Sequence, residues 1–395
     1  LQWEAALGVQ ELPLDVLARP ESIALLRQHR SDLAEDDANL NAVAANLGDL
    51  PLALHLAGSF LTRYKYAVTP SAYLAQLQQP GWLEHRSLQG WKLTRDTSPT
   101  LHEQHVARTF ALSYERLDAR DTTDALALAL LARTAYFAPG EPIPRDVLLA
   151  TLSQDADNPD AILAREDALQ RLYGLGLLEP AASGAVRLHR LLAAFVQSAH
   201  SDPEAQTAVE QTMLTIANQL NNAGDPRPLL ALEVHLRAVT DAAQRRKDTQ
   251  AARLCNTLGF HLQAVGQYAE ARPYDERALG IHEQVLGPEH ADTALSLNNL
   301  GFLLQVQGDL GGARPYDERA LAIREQVLGP KHPDTAQSLN NLGVLLQEQG
   351  DLGGARPYYE RALHICIARL GPNHALTQTV QRNLVALEAL MNQSQ

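Results

Sequence analysis

The chain has little cysteine, little lysine and a deficit of positive charge. Only two cysteines occur in 395 residues, Cys255 and Cys366, far apart and inside helical patterns. That excludes a disulfide scaffold and fits a reducing, cytoplasmic setting. Four lysines are present, Lys65, Lys92, Lys247 and Lys331, and none follows a glycine. A G-K-[ST] phosphate loop is therefore missing, and with it the P-loop route to holding and cleaving a nucleoside triphosphate. Lys+Arg 33 against Asp+Glu 46 leaves a formal charge of −13, which argues against a nucleic-acid backbone as partner. No apolar run reaches the roughly 18 residues of a membrane helix, and no charged-then-apolar leader suggests export. The chain also lacks G-x-S-x-G, H-E-x-x-H and any Cys/His cluster. No catalytic or metal-binding residue is assigned, and a stand-alone enzyme is not expected.

Hydrophobic residues make up 45% of the sequence, enough to bury a core in each of two to four domains. The C-terminal third declares its architecture by self-similarity. Residues 269–310 aligned with 311–352 give 33 identities in 42 positions, and a weaker third copy begins at Gly353. A 42-residue period predicts stacked helical pairs, each burying its face against its neighbours. Leu297, Leu300, Leu303 and Leu304 form one apolar helical stripe. Gly308-Asp309 breaks the chain, and a second helix over about 312–327 turns Ala313, Tyr316, Ala320 and Leu321 inward. Gly329-Pro330 ends it, and Asp334 or Thr335 offers the next N-cap.

The fold class is mostly all-α: a helical domain, a winged-helix domain, then a helix-turn-helix solenoid. The expected domains are residues 1–107, 108–200, a helical connector at 201–250, and repeats at 251–395. In the first, two helices are expected over 20–61, the second broken near Gly48-Asp49-Leu50-Pro51, with a short helix near 71–78. Val9-Gln10-Glu11-Leu12 reads as a stray strand. The second should have helices at 108–117, 123–133, 145–153 and 160–174, then a hairpin of 177–179 and 186–188 across Ser183-Gly184. Because the sequence opens at Leu1 and in mid-pattern, it reads as the C-terminal portion of a longer chain.

The unit carrying LNNLG, GDLGGARPYDERAL and LGPKHPDTA resembles the tetratricopeptide repeats of kinesin light chains. AANLGDLPLALHLAGSFL resembles the G-L-P-L-A helix of the NB-ARC module of STAND signalling ATPases, and VRLHRLLAAFV resembles that module's MHD-type segment. The order of helical domain, winged helix, connector and repeats also matches. The resemblance implies that Pro51 packs near the adenine of ADP and that His189 contacts its β-phosphate. Phosphate loop, Walker B acid and sensor arginine would precede Leu1, so this chain holds at most a half-site. On this reading the chain is the sensor and autoinhibitory part of a bacterial-type ATPase. The longer parent would bind ADP or ATP with Mg, and the repeats would contact its ATPase core until a ligand releases them. The alternative is a constitutive scaffold without nucleotide.

Asn299, Asn341 and Asn383 recur off the apolar stripe. An amide both donates and accepts, so a ladder of them can hold an extended peptide backbone; alternatively it can bridge adjacent repeats. The resemblance implies that they line the peptide groove, with Asn298 and Asn340 flanking it and Arg324 at its edge. Thr257 takes the equivalent place in the first unit. His290, His332 and His374 recur one per loop, a whole repeat apart, which suits capping rather than metal binding. The winged-helix span is not basic, and Asp160, Glu166 and Asp167 on its third helix argue against base reading. The expected partner is a protein or peptide, with a weak preference for a basic one.

Overall fold

The computed structural model describes residues 17–78 except 35, 113–199 except 153–157, and 202–393 except 223, 224 and 244. The chain divides into two compact units, Leu1–Val209 and Glu210–Gln395. Eighteen helices and one two-stranded hairpin make up the regular structure of the described residues. The expected strand at 9–12 and the first half of the expected helix at 108–117 lie outside those residues.

The first unit begins with α1 (Arg19–His29), α2 (Ala38–Asn46), α3 (Pro51–Arg63) and α4 (Pro70–Leu77). Asp37 caps α2 by accepting from Asn39 N and Leu40 N. The α2–α3 break follows from backbone chemistry. Gly48 and Asp49 both take positive φ, +63° and +58°, and Pro51 opens α3 where its missing N–H costs nothing. Asp49 is held in this unusual conformation for a non-glycine by a two-point ion pair with Arg19, at 2.9 and 2.7 Å. The core of these helices is apolar, with Leu40, Val43, Ala53, Leu54, Ala57 and Leu61 fully buried.

Three helices follow, α5 (Thr122–Thr134), α6 (Arg145–Ala150) and α7 (Pro159–Gly174), then β1 (Glu179–Pro180), β2 (Val186–Arg187) and α8 (Arg190–Ala199). Pro180 pairs with Val186 across a turn in which Ser183 and Gly184 have positive φ. Val186 also exchanges both backbone hydrogen bonds with Ile143, at 2.8 and 2.9 Å, adding a third extended segment to the wing. Asp124 ties α5 to α7 through Arg171 at 2.7 Å, and that guanidinium holds its carboxyl below the usual range.

From α9 (Pro203–Asn222), which begins before the boundary at Glu210, α10 (Arg227–Leu230) and α11 (Glu233–Ala243) lead into the repeats of the second unit. The repeats alternate first helices α12 (Thr249–Ala264), α14 (Ala291–Val306) and α16 (Pro333–Glu348) with second helices α13 (Tyr268–Val285), α15 (Leu310–Val327) and α17 (Leu352–Leu370). The last helix, α18 (Ala375–Gln393), repeats the position of a first helix. Glycines 287, 329 and 371 end the second helices with φ of +94°, +93° and +85°. The residue that begins each next first helix is a histidine, not the expected Asp334 or Thr335. Nδ1 of His290, His332 and His374 accepts from the backbone N–H two residues on, at 3.1, 3.1 and 3.2 Å. Thr335 instead donates its hydroxyl back to Gly329 O at 2.9 Å, closing the loop. Leu297, Leu300, Leu303, Leu339, Leu342 and Leu345 are buried, each contributing roughly 1.5–3 kcal/mol.

Candidate functional site

In the first unit the structure brings His189 to the α2–α3 break that carries Pro51. His189 directly precedes α8, and the Leu191 N–H donates to its Nδ1 at 3.3 Å. The proton therefore sits on Nε2, which donates to Gly48 O at 3.0 Å. Arg190 adds a second link by donating to Ala45 O. Only glycine fits at the contact, because a Cβ on Gly48 would lie 2.6 Å from His189 Cε1 and Nε2. The two positions given a nucleotide role by resemblance thus lie on either side of one clasp. As a nucleotide site the clasp is incomplete. Both ring nitrogens of His189 are engaged by protein, and the neighbouring cations Arg190 and Arg19 are bonded to Ala45 O and Asp49.

In the second unit, successive first helices touch one another more closely than successive second helices. The first helices therefore line the inner side of the curve. The amide candidates separate into two classes. Asn298 and Asn340 are buried, at 4% and 5% exposure. Asn298 donates to Ser338 Oγ at 2.9 Å, and Asn340 Oδ1 accepts from Asn383 Nδ2 at 2.9 Å. Asn256 makes the same bridge to Ser296 at 3.0 Å. These residues bolt each first helix to the next, which corrects their expected place beside the groove: an amide buried between helices is out of a ligand's reach, even where, as at Asn298 Oδ1, one atom has no partner.

Arg324 is corrected in the same way. It is 5% exposed and donates to Asp334 O and Ser338 Oγ, at 2.8 and 2.9 Å, while burial pushes its guanidinium down. His282 occupies the equivalent place one repeat earlier, its Nδ1 2.9 Å from Ser296 Oγ, and burial favours its neutral form. Cys366 takes the third such position and is also buried. The other thiol, Cys255, is pushed up to about 12 by desolvation and is no nucleophile. Replacing Asn298 by alanine removes the bridge between α14 and α16 and one of the two donors to the Ser338 hydroxyl, the other being Arg324. We expect a loss of about 1–2 kcal/mol, read as a lower urea midpoint at unchanged slope.

Asn299 and Asn341 are partly exposed, and Asn341 Oδ1 accepts from Gln337 at 2.9 Å. Asn383 is partly exposed but bonded to Asn340. Thr257, the equivalent in the first repeat, is 7% exposed and donates to Asn218 Oδ1 at 3.1 Å. The surface that the sequence reading missed is apolar. Leu295, Phe302 and Val306 are 41%, 43% and 38% exposed. With Asn299 they fall at spacings of four, three and four, one helical face opposite the packing stripe. Phe260 repeats Phe302 one unit earlier and is equally exposed. The available signal was a phenylalanine recurring at the 42-residue step in a chain with six.

No helix among the described residues is long and apolar enough to cross a membrane. Residues 248–305 and 292–368 match the model of the tetratricopeptide repeat family. No curated protein matches the chain. Among solved structures, the chain is similar to BtubC (BKLC) from P. vanneervenii, at 24% identity over 50% of this chain and 78% of that one, with a TM-score of 0.40. It is also similar to a Podosopora anserina kinesin light chain with nearly identical TPR-like repeats, at 22% identity over 46% and 87%, with a TM-score of 0.38. The second unit carries tetratricopeptide repeats, an architecture suited to binding other proteins.

Proposed function

We propose that this chain is the sensor and autoinhibitory part of a STAND-type signalling ATPase, with a repeat groove that receives a protein segment and a clasp that holds the closed form. The observation that carries the proposal is the His189–Gly48 bond. It joins residues 141 positions apart, and it does so at the two motifs that resemble the NB-ARC module. The clasp acts as a conformational lock in its own right. A ligand in the repeats shifts the equilibrium only by binding the open form more tightly than the closed one. Catalysis and the nucleotide, ADP or ATP with Mg, belong to the longer parent, in a bacterial cytoplasmic setting.

His189→Ala removes one hydrogen bond and one helix cap, together about 2 kcal/mol. We expect faster amide exchange at 45–50 and at the start of α8, with the repeats unaffected. Gly48→Ala should do the same through the steric clash. In a protein extended upstream through a phosphate loop, both variants should lose bound ADP more quickly. Unchanged exchange in both variants would remove the lock.

The constitutive scaffold stands as a second reading because His189 serves its helix as His290, His332 and His374 serve theirs, accepting at Nδ1 from the N–H two residues on. A scaffold predicts equal partner binding with and without His189.

A further inference from the structure

The inner face of the repeats is chemically graded. Over the first two repeats it is apolar, with Phe260, Leu295, Phe302 and Val306 exposed together. The charges there cancel, because Arg253 is ion-paired to Asp292 at 3.1 Å. Over the third repeat the equivalents of Leu295, Phe302 and Val306 are Gln337, Val344 and Glu348. Glu348 is exposed and spends one oxygen on Gln305, at 2.8 Å. Asp334 is exposed on the same helix. The face thus runs from aromatic to acidic, with Asn299 and Asn341 between the two ends.

From this gradient we infer that the groove takes an extended segment bearing two bulky apolar side chains followed, one repeat further along, by a lysine or arginine. The inference rests on the groove reading above and names its ligand. Packed helices lie about 8–10 Å apart, and an extended segment in the polyproline II conformation advances about 3.1 Å per residue and turns once in three, so every third side chain faces the same way. One repeat is therefore crossed in about three residues. The segment reads Φ-x-x-Φ-x-x-Lys/Arg, where Φ is large and apolar. The first two side chains bury against Phe260 and Phe302, the amides meet the peptide backbone, and the cation faces Glu348. Because the amides read only backbone, the gradient rather than the asparagine ladder sets the choice of partner. An acidic residue at the last position would face the Glu348 carboxylate, so the same contact rejects it.

The test is fluorescence anisotropy of the full chain with a labelled Gly-Ser-Leu-Ser-Ser-Leu-Ser-Ser-Lys-Ser-Gly peptide. Two companions carry glutamate in place of lysine, or serine in place of both leucines. We expect the lysine peptide to bind, the glutamate peptide to bind at least tenfold more weakly, and the serine peptide not to bind. Phe302→Ala should weaken the lysine peptide at least tenfold, and Glu348→Lys should invert the lysine-over-glutamate preference. Both substitutions are at exposed positions, and the unchanged thermal midpoint of each variant confirms its fold. A glutamate peptide that binds as well as the lysine one, or a Phe302→Ala variant of unchanged affinity, overturns the inference. So does the absence of binding by all three peptides. A degenerate nine-residue peptide library then separates the two levels. A hit that Asn341→Ala weakens keeps the groove and discards this ligand, whereas no hit discards both.

Discussion

Raising the pH from 5 to 8 is expected to lower the thermal midpoint of the repeats by roughly 10–20 °C, and the double variant Asp275→Asn/Asp317→Asn to remove most of that fall. The cause is a pair of buried carboxyls one repeat apart. Asp275 and Asp317 are 0% and 1% exposed. Asp275 accepts from Gln263 Nε2 at 2.5 Å and has one oxygen without a partner, and Asp317 has neither oxygen bonded. The glutamine that could serve Asp317, Gln305, donates instead to Glu348. Desolvation pushes both carboxyls up to about 7, helped at Asp275 by Glu276. Below about pH 4 both are protonated in the folded and unfolded chain alike. Between about 4 and 7 the unfolded chain releases their protons and the fold does not, so each rise in pH favours unfolding. Above about 7 the folded carboxyls ionise too, and the slope vanishes.

At about 1.4 kcal/mol per unit, the two units between pH 5 and 7 amount to between about 2 and 3 kcal/mol per carboxyl. Two such groups give about 5 kcal/mol, and about 2–4 °C per kcal/mol converts that into the expected fall. Differential scanning calorimetry of the chain and of the double variant at pH 5, 6, 7 and 8 reads it directly. A midpoint that rises across this range in the unsubstituted chain would show that the carboxyls are ionised in the fold. The third repeat supplies an internal control. Tyr359 stands where Asp275 and Asp317 stand, and its hydroxyl donates to Gln347 Oε1 at 3.1 Å. Asp317→Tyr should therefore stabilise the middle repeat most at high pH.

The repeat architecture was legible because identity at a 42-residue step leaves little choice of fold, and Gly-Pro pairs punctuate it. The α2–α3 break was legible for the same reason: Gly48-Asp49-Leu50-Pro51 combines a left-handed turn with a proline that can only open a helix. The facing of individual amides was not. Asn298 and Asn299 are adjacent and differ by about 100° around the helix, so a modest error in phase exchanges the residue that bolts repeats together for the one that meets solvent. Arg324 misled in another way. A charged side chain suggests a surface, yet here the serine and backbone carbonyl of the next first helix satisfy it in the interior. The buried aspartates were hidden within PYDERAL, a string that reads as the polar face of a helix. Their signal was relational: a tyrosine at the same step in the third copy, and a glycine sixteen residues earlier in each.

That glycine carries the second large prediction. Helix propensity alone favours replacing any helical glycine, by about 1 kcal/mol for alanine. Gly280, in the middle of α13, has no heavy atom within 4 Å of where a Cβ would sit, and the next repeat already places Ala322 there. Gly280→Ala should therefore stabilise by about 0.5–1 kcal/mol. Gly301 has the same propensity and the opposite surroundings. Its Cβ would lie 2.4 Å from Asp317 Oδ1 and 2.9 Å from Asp317 Cγ. The carboxyl is buried between α14 and α15 and has nowhere to retreat, so Gly301→Val must separate the two helices. Overpacking of this kind costs about 3 kcal/mol or slightly more. Gly301→Ala should cost less, and Asp317→Ala in the same chain should restore most of it by vacating the space, a coupling that a double-mutant cycle in urea resolves. If the two substitutions are simply additive, the helices do not approach through this pair. Because each repeat is held only by its neighbours, opening the α14–α15 pair also uncouples the first repeat from the third. The Gly301→Val transition should then broaden and split where that of Gly280→Ala stays single.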